Sequence, residues 1–209
     1  MRTSSRVVSL LLFDEVELLD VSGPLGVLTA AGRQWNFRPF KIQVVSARAG
    51  AIDTRSQIRL ESEATFDANE APEILIVPGG YGARRVLEDG ATIDWVRGAG
   101  EKAELCMAIG NGVLVLAKAG LCDGLEVAVG RDSADLLAAL SPSTRRNGTA
   151  RFVEDGKLLT APNAMGAIEA SLRLVSRHLG KKQAQGVAAS LGVVWLESEP
   201  GGIEILEAD

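Results

Sequence analysis

The segment ELCMAIGNGVLVLAKAG, Glu104 to Gly120, has the form of a buried strand (Leu105 to Ile109), a Gly110-Asn111-Gly112 turn, and a helix from Val113 to Ala119. A strand that breaks sharply into a helix is where many α/β enzymes hold a nucleophile, because the turn aims one side chain at the helix N-terminus. Here the turn holds glycine, and Cys106 stands four residues upstream. Moving the elbow to Cys106 would put two glycines and an asparagine in the next helical turn, disfavouring it by about 2 kcal/mol or more. Cys106 therefore reads as a small buried strand residue, and without a histidine nearby in sequence it is not expected to be a reactive thiol. Glycine at position 110 removes the strain of an elbow, roughly 1–3 kcal/mol for another residue. The helix N-terminus behind it still offers amides and partial positive charge to an anion or a polarised carbonyl.

Asp20, in VELLDVSGP, has two readings. It is a capping carboxylate just before a helix, a common use of Asp, or a half-buried acid facing the elbow. Burial without a cationic partner raises a carboxylic pKa and suits general acid/base work near neutrality. The VPGGYGARR stretch offers amides at Gly79 and Gly80 for developing negative charge. It lacks the Gly-x-x-x-x-Gly-Lys spacing of a phosphate loop, and Arg84 and Arg85 read as solvated helix residues. Gly130 and Arg131 join Gly79, Gly80, Gly110 and Asn111 as candidate substrate-binding positions. For Asn111, Arg131, Asp132 and Asn163 the ordinary reading is a solvated loop residue. His178, in a last helical turn before Gly180, reads as a complement to the helix dipole.

The elements that must position these residues follow from the apolar pattern. RVVSLLLF, FKIQVVS, EILIVPGG and AELCMAI read as buried strands, and segments of helical spacing lie between them. That alternation predicts an α/β fold with a mostly parallel sheet covered by helices. In such sheets ligands bind beyond the carboxyl ends of the strands, where Asp20, the Gly79-Gly80 loop, the Gly110 elbow and the Gly130 turn all fall. Ser22-Gly23-Pro24 predicts the start of the first helix, with proline in its first turn, and Ser133 predicts a cap for ADLLAAL. AIDTRSQIRLESEATF reads as a small hairpin. ARFVEDGKLLTAP reads as a second one, turning at Asp155-Gly156. Helices are expected from Ala164 to Leu179 and from Lys181 to about Leu191. The tail from 193 to 209 is read as a lid, an oligomer contact or a partly frayed end. With no linker or repeat, residues 1–209 read as one domain.

Composition narrows the function classes. A net charge of −5 without a basic block excludes the usual nucleic-acid footprint and disfavours docking on anionic lipid. One histidine and two unpaired-looking cysteines, Cys106 and Cys122, leave no metal or redox motif and fit a reducing, cytoplasmic compartment. The apolar run from Val7 to Phe13 is interrupted by Ser9 and followed by Asp14 and Glu15, so a first strand is expected rather than a cleaved leader. No run approaches the ~20 apolar residues of a membrane span. A small-molecule substrate or ligand is expected, with no cofactor and no metal.

Four segments, VSLLLFDEVELLDVSGPLGVL, EILIVPGG, GVLVLAKAGLCDG and DGKLLTAPNAMGAIEASLRLVSRHLG, stand in an order and spacing that resembles the DJ-1/PfpI superfamily over about residues 6 to 190. They look most like the branch of isocyanide hydratases and the amidase-like domains of AraC-type regulators. The resemblance implies a flavodoxin-like three-layer α/β/α sandwich, commonly a homodimer, with its site at the elbow. In that branch the elbow reads Cys-Thr-Gly or similar with a nucleophilic cysteine; the matching residues here are Gly110-Asn111-Gly112. A family histidine in a Thr-Thr-His-Trp-like segment matches a stretch, Val127 to Arg131, that has none. The acid that partners the cysteine matches Asp20.

The leading expectation is an enzyme without the elbow cysteine, using Asp20 as general acid/base in a hydration, elimination, isomerisation or cyclisation. The alternative is a catalytically inactive small-molecule sensor of the same fold; no helix-turn-helix is legible for reading DNA as the AraC-type relatives do. A chaperone or deglycase-like activity through Cys106 ranks third.

Overall fold

The computed structural model describes residues 5–33, 38–62 and 64–195. The 193–209 tail therefore lies almost wholly outside the described residues. The chain forms β1 (Arg6–Leu11), α1 (Leu18–Arg33), β2 (Phe40–Ser46), a β3–β4 hairpin (Gly50–Asp53, Arg59–Ser62), the short β5 (Ala64–Thr65) and β6 (Ile74–Val77). It continues with α2 (Ala83–Val86), α3 (Gly90–Lys102), β7 (Leu105–Ile109), α4 (Gly112–Lys118) and β8 (Glu126–Ala128). After a 3₁₀ turn at Arg131–Ser133 come α5 (Ala134–Leu140), β9 (Arg145–Asn147), the β10–β11 hairpin (Val153–Asp155, Leu158–Ala161), α6 (Ala164–Leu179) and α7 (Lys181–Ser190).

The main sheet runs β10-β11-β7-β6-β1-β2-β5, parallel except for the edge pair β10–β11. β6, β7 and β11 are buried at every position, as befits strands covered on both faces. α1, α6 and α7 pack together as one helical layer, and α4 contacts α2, α3 and α5 in the other. The five central parallel strands have the doubly wound flavodoxin-like order. β1 pairs with β2 on one side and with β6 on the other, so the winding direction reverses between β1 and β6. A crevice opens outside the carboxyl ends of the strands at such a reversal.

Three local expectations are corrected. α1 begins at Leu18, not after Ser22, and Pro24 lies inside it. Tertiary bonds set the start: Val16 bridges Gly80, the Glu17 amide donates to the Gly79 carbonyl (2.9 Å), and the Asp20 amide donates to the Glu17 carbonyl (3.1 Å). Pro24 has no N–H for the carbonyl four residues before it, that of Asp20, an interior cost that packing must offset. Ser133 sits at the start of α5 but its hydroxyl makes no capping bond, because the 3₁₀ turn already leads the chain into the helix. The β10–β11 turn is Gly156-Lys157, one residue later than expected; Asp155 pairs with Leu158 in the ladder and Gly156 takes the positive φ, +61°.

Candidate active site

A cleft of about 530 Å³ opens at the β1/β6 reversal. It lies among the first turn of α1, the loops after β6, β7 and β8, and the segment joining β11 to α6. Its walls include Glu17, Leu19, Asp20, Gly80, Gly110, Asn111, Gly130 and Asn163. That volume is within the usual range for a small-molecule site.

Asp20 is 5% exposed, carried into the interior by the first turn of α1. Its Oδ2 accepts a hydrogen bond from the Gly79 amide (3.1 Å). Burial, the dominant cause, pushes its pKa from 3.8 up to about 6; the Gly79 bond pulls it down and the charge of Glu17 adds to the rise. The carboxyl thus changes protonation state just below neutrality.

β7 ends at Ile109 and Gly110 turns the chain with φ +54° into α4. A Cβ built on Gly110 would lie 3.5 Å from Asp20 Oδ2 with no closer obstruction. The elbow thus leaves an unfilled position directly against the carboxyl group. The Gly110 amide donates to the Ala161 carbonyl (2.8 Å), tying the elbow to β11.

The Asn111 side chain pairs with the backbone of Gly80 at both ends. Its Nδ2 donates to the Gly80 carbonyl, and the Gly80 amide donates to its Oδ1, each at 2.9 Å. Gly79 stands directly before Gly80, and a Cβ on it would come within 2.8 Å of Asn111 Oδ1, Asp20 Oδ2 and the Ile109 carbonyl. Only a glycine lets acid, amide and elbow converge there. One consequence corrects the sequence reading: the amides of Gly79 and Gly80 are already engaged and are not free for a substrate. Among the described residues, no acceptor takes the first amides of α4, those of Asn111 and Gly112.

The remaining candidates divide. Gly130 and Asp132 line the cleft, whereas Gly79 lies behind its wall and Arg131 is exposed outside it. Asn163 lines the cleft while its Oδ1 caps α6 by accepting the Gly166 amide (2.9 Å). Arg84, expected to be merely solvated, is a cleft residue and donates to the Asp132 carbonyl (3.1 Å). Arg85 lies 3.1 Å from Glu15 Oε2, an ion pair by distance without hydrogen-bond alignment. Glu17, Leu19, Arg55, Tyr81 and Pro162 were not singled out from sequence; Leu19, Tyr81 and Pro162, next to Asp20, Gly80 and Asn163, carried a positional cue.

Cys106 and Cys122 are fully buried away from the cleft, and burial pushes their thiols up to about 11 and about 12. Both favour the unreactive thiol form. His178 does not serve α6 as a cation. Burial, reinforced by Arg6 and Arg177, lowers its pKa to about 4, its Nε2 has no hydrogen-bond partner, and its ring stands edge-on to Phe40. Among the described residues, no group of three His, Cys, Asp or Glu side chains is placed to hold a metal, and no helix is long and apolar enough to cross a membrane.

A doubly wound sheet with a glycine-loop crevice and a strand-to-helix elbow defines a flavodoxin-like α/β sandwich with its cleft at the elbow. The chain belongs to the DJ-1/PfpI family, whose pattern matches residues 6–177. It is 28% identical over 184 residues to an isonitrile hydratase of Pseudomonas putida, covering 88% of this chain and 77% of that one. Among solved structures, a ThiJ/PfpI family protein from Pseudomonas syringae superposes with a TM-score of 0.81 at 19% identity, over 94% of this chain and 77% of that chain. An AraC family transcriptional regulator from Pseudomonas putida gives 0.74 at 24% identity, over 89% and 99%. Drosophila melanogaster DJ-1beta gives 0.78 at 22% identity, over 92% and 100%.

Proposed function

We propose that this protein is an acid/base enzyme of the DJ-1/PfpI fold that works without a cysteine at its elbow. Gly110 takes the position at which relatives carry the nucleophile, and Asp20 transfers protons to and from a small molecule seated above it. The observation that supports this most is the Asp20 carboxyl, buried at the cleft with a pKa of about 6 and facing the open position beside Gly110. An acid poised near the working pH gives and takes protons with the least thermodynamic penalty. The likeness to an isonitrile hydratase makes a hydration the first reaction to consider. In the hydration of an isonitrile, Asp20 protonates the terminal carbon and water adds to that same carbon of the resulting nitrilium. The carboxylate takes the proton the water loses, leaving a formimidic acid that tautomerises to the formamide. Elimination, isomerisation and cyclisation use the same two proton transfers. Asn111 holds the glycine loop, and through it the Gly79 amide, against Asp20, and so acts as a positioning residue.

The second reading, a small-molecule sensor, draws support from the engaged amides of Gly79, Gly80 and Gly110, which leave few donors for a developing oxyanion. One experiment separates the two. A native small-molecule extract is incubated with wild type, Asp20→Asn and Cys106→Ser, then profiled by mass spectrometry. The enzyme reading expects a metabolite consumed by wild type and Cys106→Ser and spared by Asp20→Asn. Consumption by Asp20→Asn at the wild-type rate rules out the mechanism. Retention of one unchanged compound by all three proteins through gel filtration establishes the sensor.

A further inference from the structure

The arginines around the cleft are not used alike. Arg48, Arg59 and Arg85, on neighbouring segments, each lie against a carboxylate: Asp14, Asp53 and Glu15 respectively. Arg55 and Arg84, which line the cleft itself, have no carboxylate within ion-pair distance among the described residues, although Glu17 and Asp132 share the same walls. Both are nevertheless positioned. Arg55 sits in the β3–β4 turn, its amide donating to the Val16 carbonyl (3.1 Å), and its guanidinium carbon lies 5.3 Å from the centroid of the exposed Tyr81 ring. Arg84 is held by its single bond to the Asp132 carbonyl. A guanidinium has five donors in a rigid fork suited to a carboxylate. Each therefore keeps guanidinium donors unused at the cleft, while Asp14, Asp53 and Glu15 are paired with other arginines. Leu19 and Tyr81, 49% and 60% exposed, give the cleft mouth an apolar surface.

We propose that the cleft takes a small molecule with an apolar, planar body and a carboxylate. The carboxylate is held by Arg55 and Arg84, the body lies against Tyr81 and Leu19, and the other end reaches Asp20. The inference rests on the proposed function for which end reacts, but not for the anion subsite itself.

The test is calorimetric titration with a matched pair, 4-formamidobenzoate and its methyl ester, which share a planar body and a formamide and differ in one negative charge. Wild type is expected to bind the acid about tenfold tighter than the ester, the scale of two partly exposed ion pairs, with added salt weakening only the acid. Arg55→Gln and Arg84→Gln are each expected to reduce that preference and together to abolish it, so that acid and ester bind alike, with the melting temperature unchanged because both side chains are exposed. Equal affinity for acid and ester, no measurable binding of the acid, or a preference that survives the double variant would overturn the inference. Asp20→Asn separates the two proposals. A retained carboxylate preference with unimpaired turnover sinks the acid/base mechanism and leaves the subsite standing; a lost turnover with no preference in wild type does the reverse.

Discussion

At Asp20, burial and a hydrogen bond pull in opposite directions, and burial wins. The Gly79 amide favours the carboxylate, yet the pKa stands near 6 instead of 3.8. A raised pKa in the folded state stabilises the protein fully below 3.8, and that contribution disappears as the pH rises through 6. Above that range the folded chain carries an ionised, 5% exposed carboxylate at a cost approaching about 3 kcal/mol. Asp20→Asn keeps the acceptor for Gly79 and removes the charge. Urea unfolding is expected to show the variant more stable than wild type at pH 8, with the gain shrinking below pH 6 and absent near pH 3.8. A variant equally or less stable at pH 8 would mean that the folded site solvates the carboxylate well. Sequence showed the residue but left cap and acid open, because both need an Asp at a helix start and only burial tells them apart.

The elbow was the most legible element. An apolar run followed by Gly-Asn-Gly defined β7 and its turn, with α4 starting one residue earlier than read. The two glycines there have different reasons to be glycine. Gly110 needs its positive φ, while its side-chain space is open. Gly112 needs its bareness: a Cβ would come within 2.4 Å of the Val77 carbonyl and 2.5 Å of the Pro78 carbonyl. Gly112→Ala therefore forces α4 away from the end of β6, at an expected cost of about 1–3 kcal/mol. Chemical denaturation measures that loss, and a cost below about 0.5 kcal/mol, the range of an ordinary surface change, would show that α4 is free to shift. Less legible was the start of α1. Ser22-Gly23-Pro24 is a plausible local signal, but bonds from Val16 and Glu17 to the glycine loop begin the helix at Leu18. Those partners are distant in sequence, so no local pattern could announce them. The same holds for Arg55, brought to the cleft by a hairpin whose role the sequence did not disclose.

On the scale of the whole molecule, the proton affinity of Asp20 belongs to no single element. α1 carries the carboxyl, the loop after β6 supplies an amide donor to it, and the elbow after β7 leaves the space before it. The winding reversal between β1 and β6 brings these pieces together, and alternating strands and helices made that fold class readable. The rule for such sheets also brought Asp20, the glycine loop and the elbow to one end of the strands, but not the bonds among them. His178 shows the limit in the other direction: its helix-end position suggested a cation, whereas its surroundings keep it neutral down to a pH of about 4. The central claim, that this elbow operates with a near-neutral acid in place of a thiol, can be measured on the intact protein without knowing the substrate. The Asp20 carboxyl carbon, assigned by its absence in Asp20→Asn, is followed by carbon-13 NMR from pH 3 to pH 8. A midpoint near 6 is the predicted result, and a midpoint near 3.8 would contradict it.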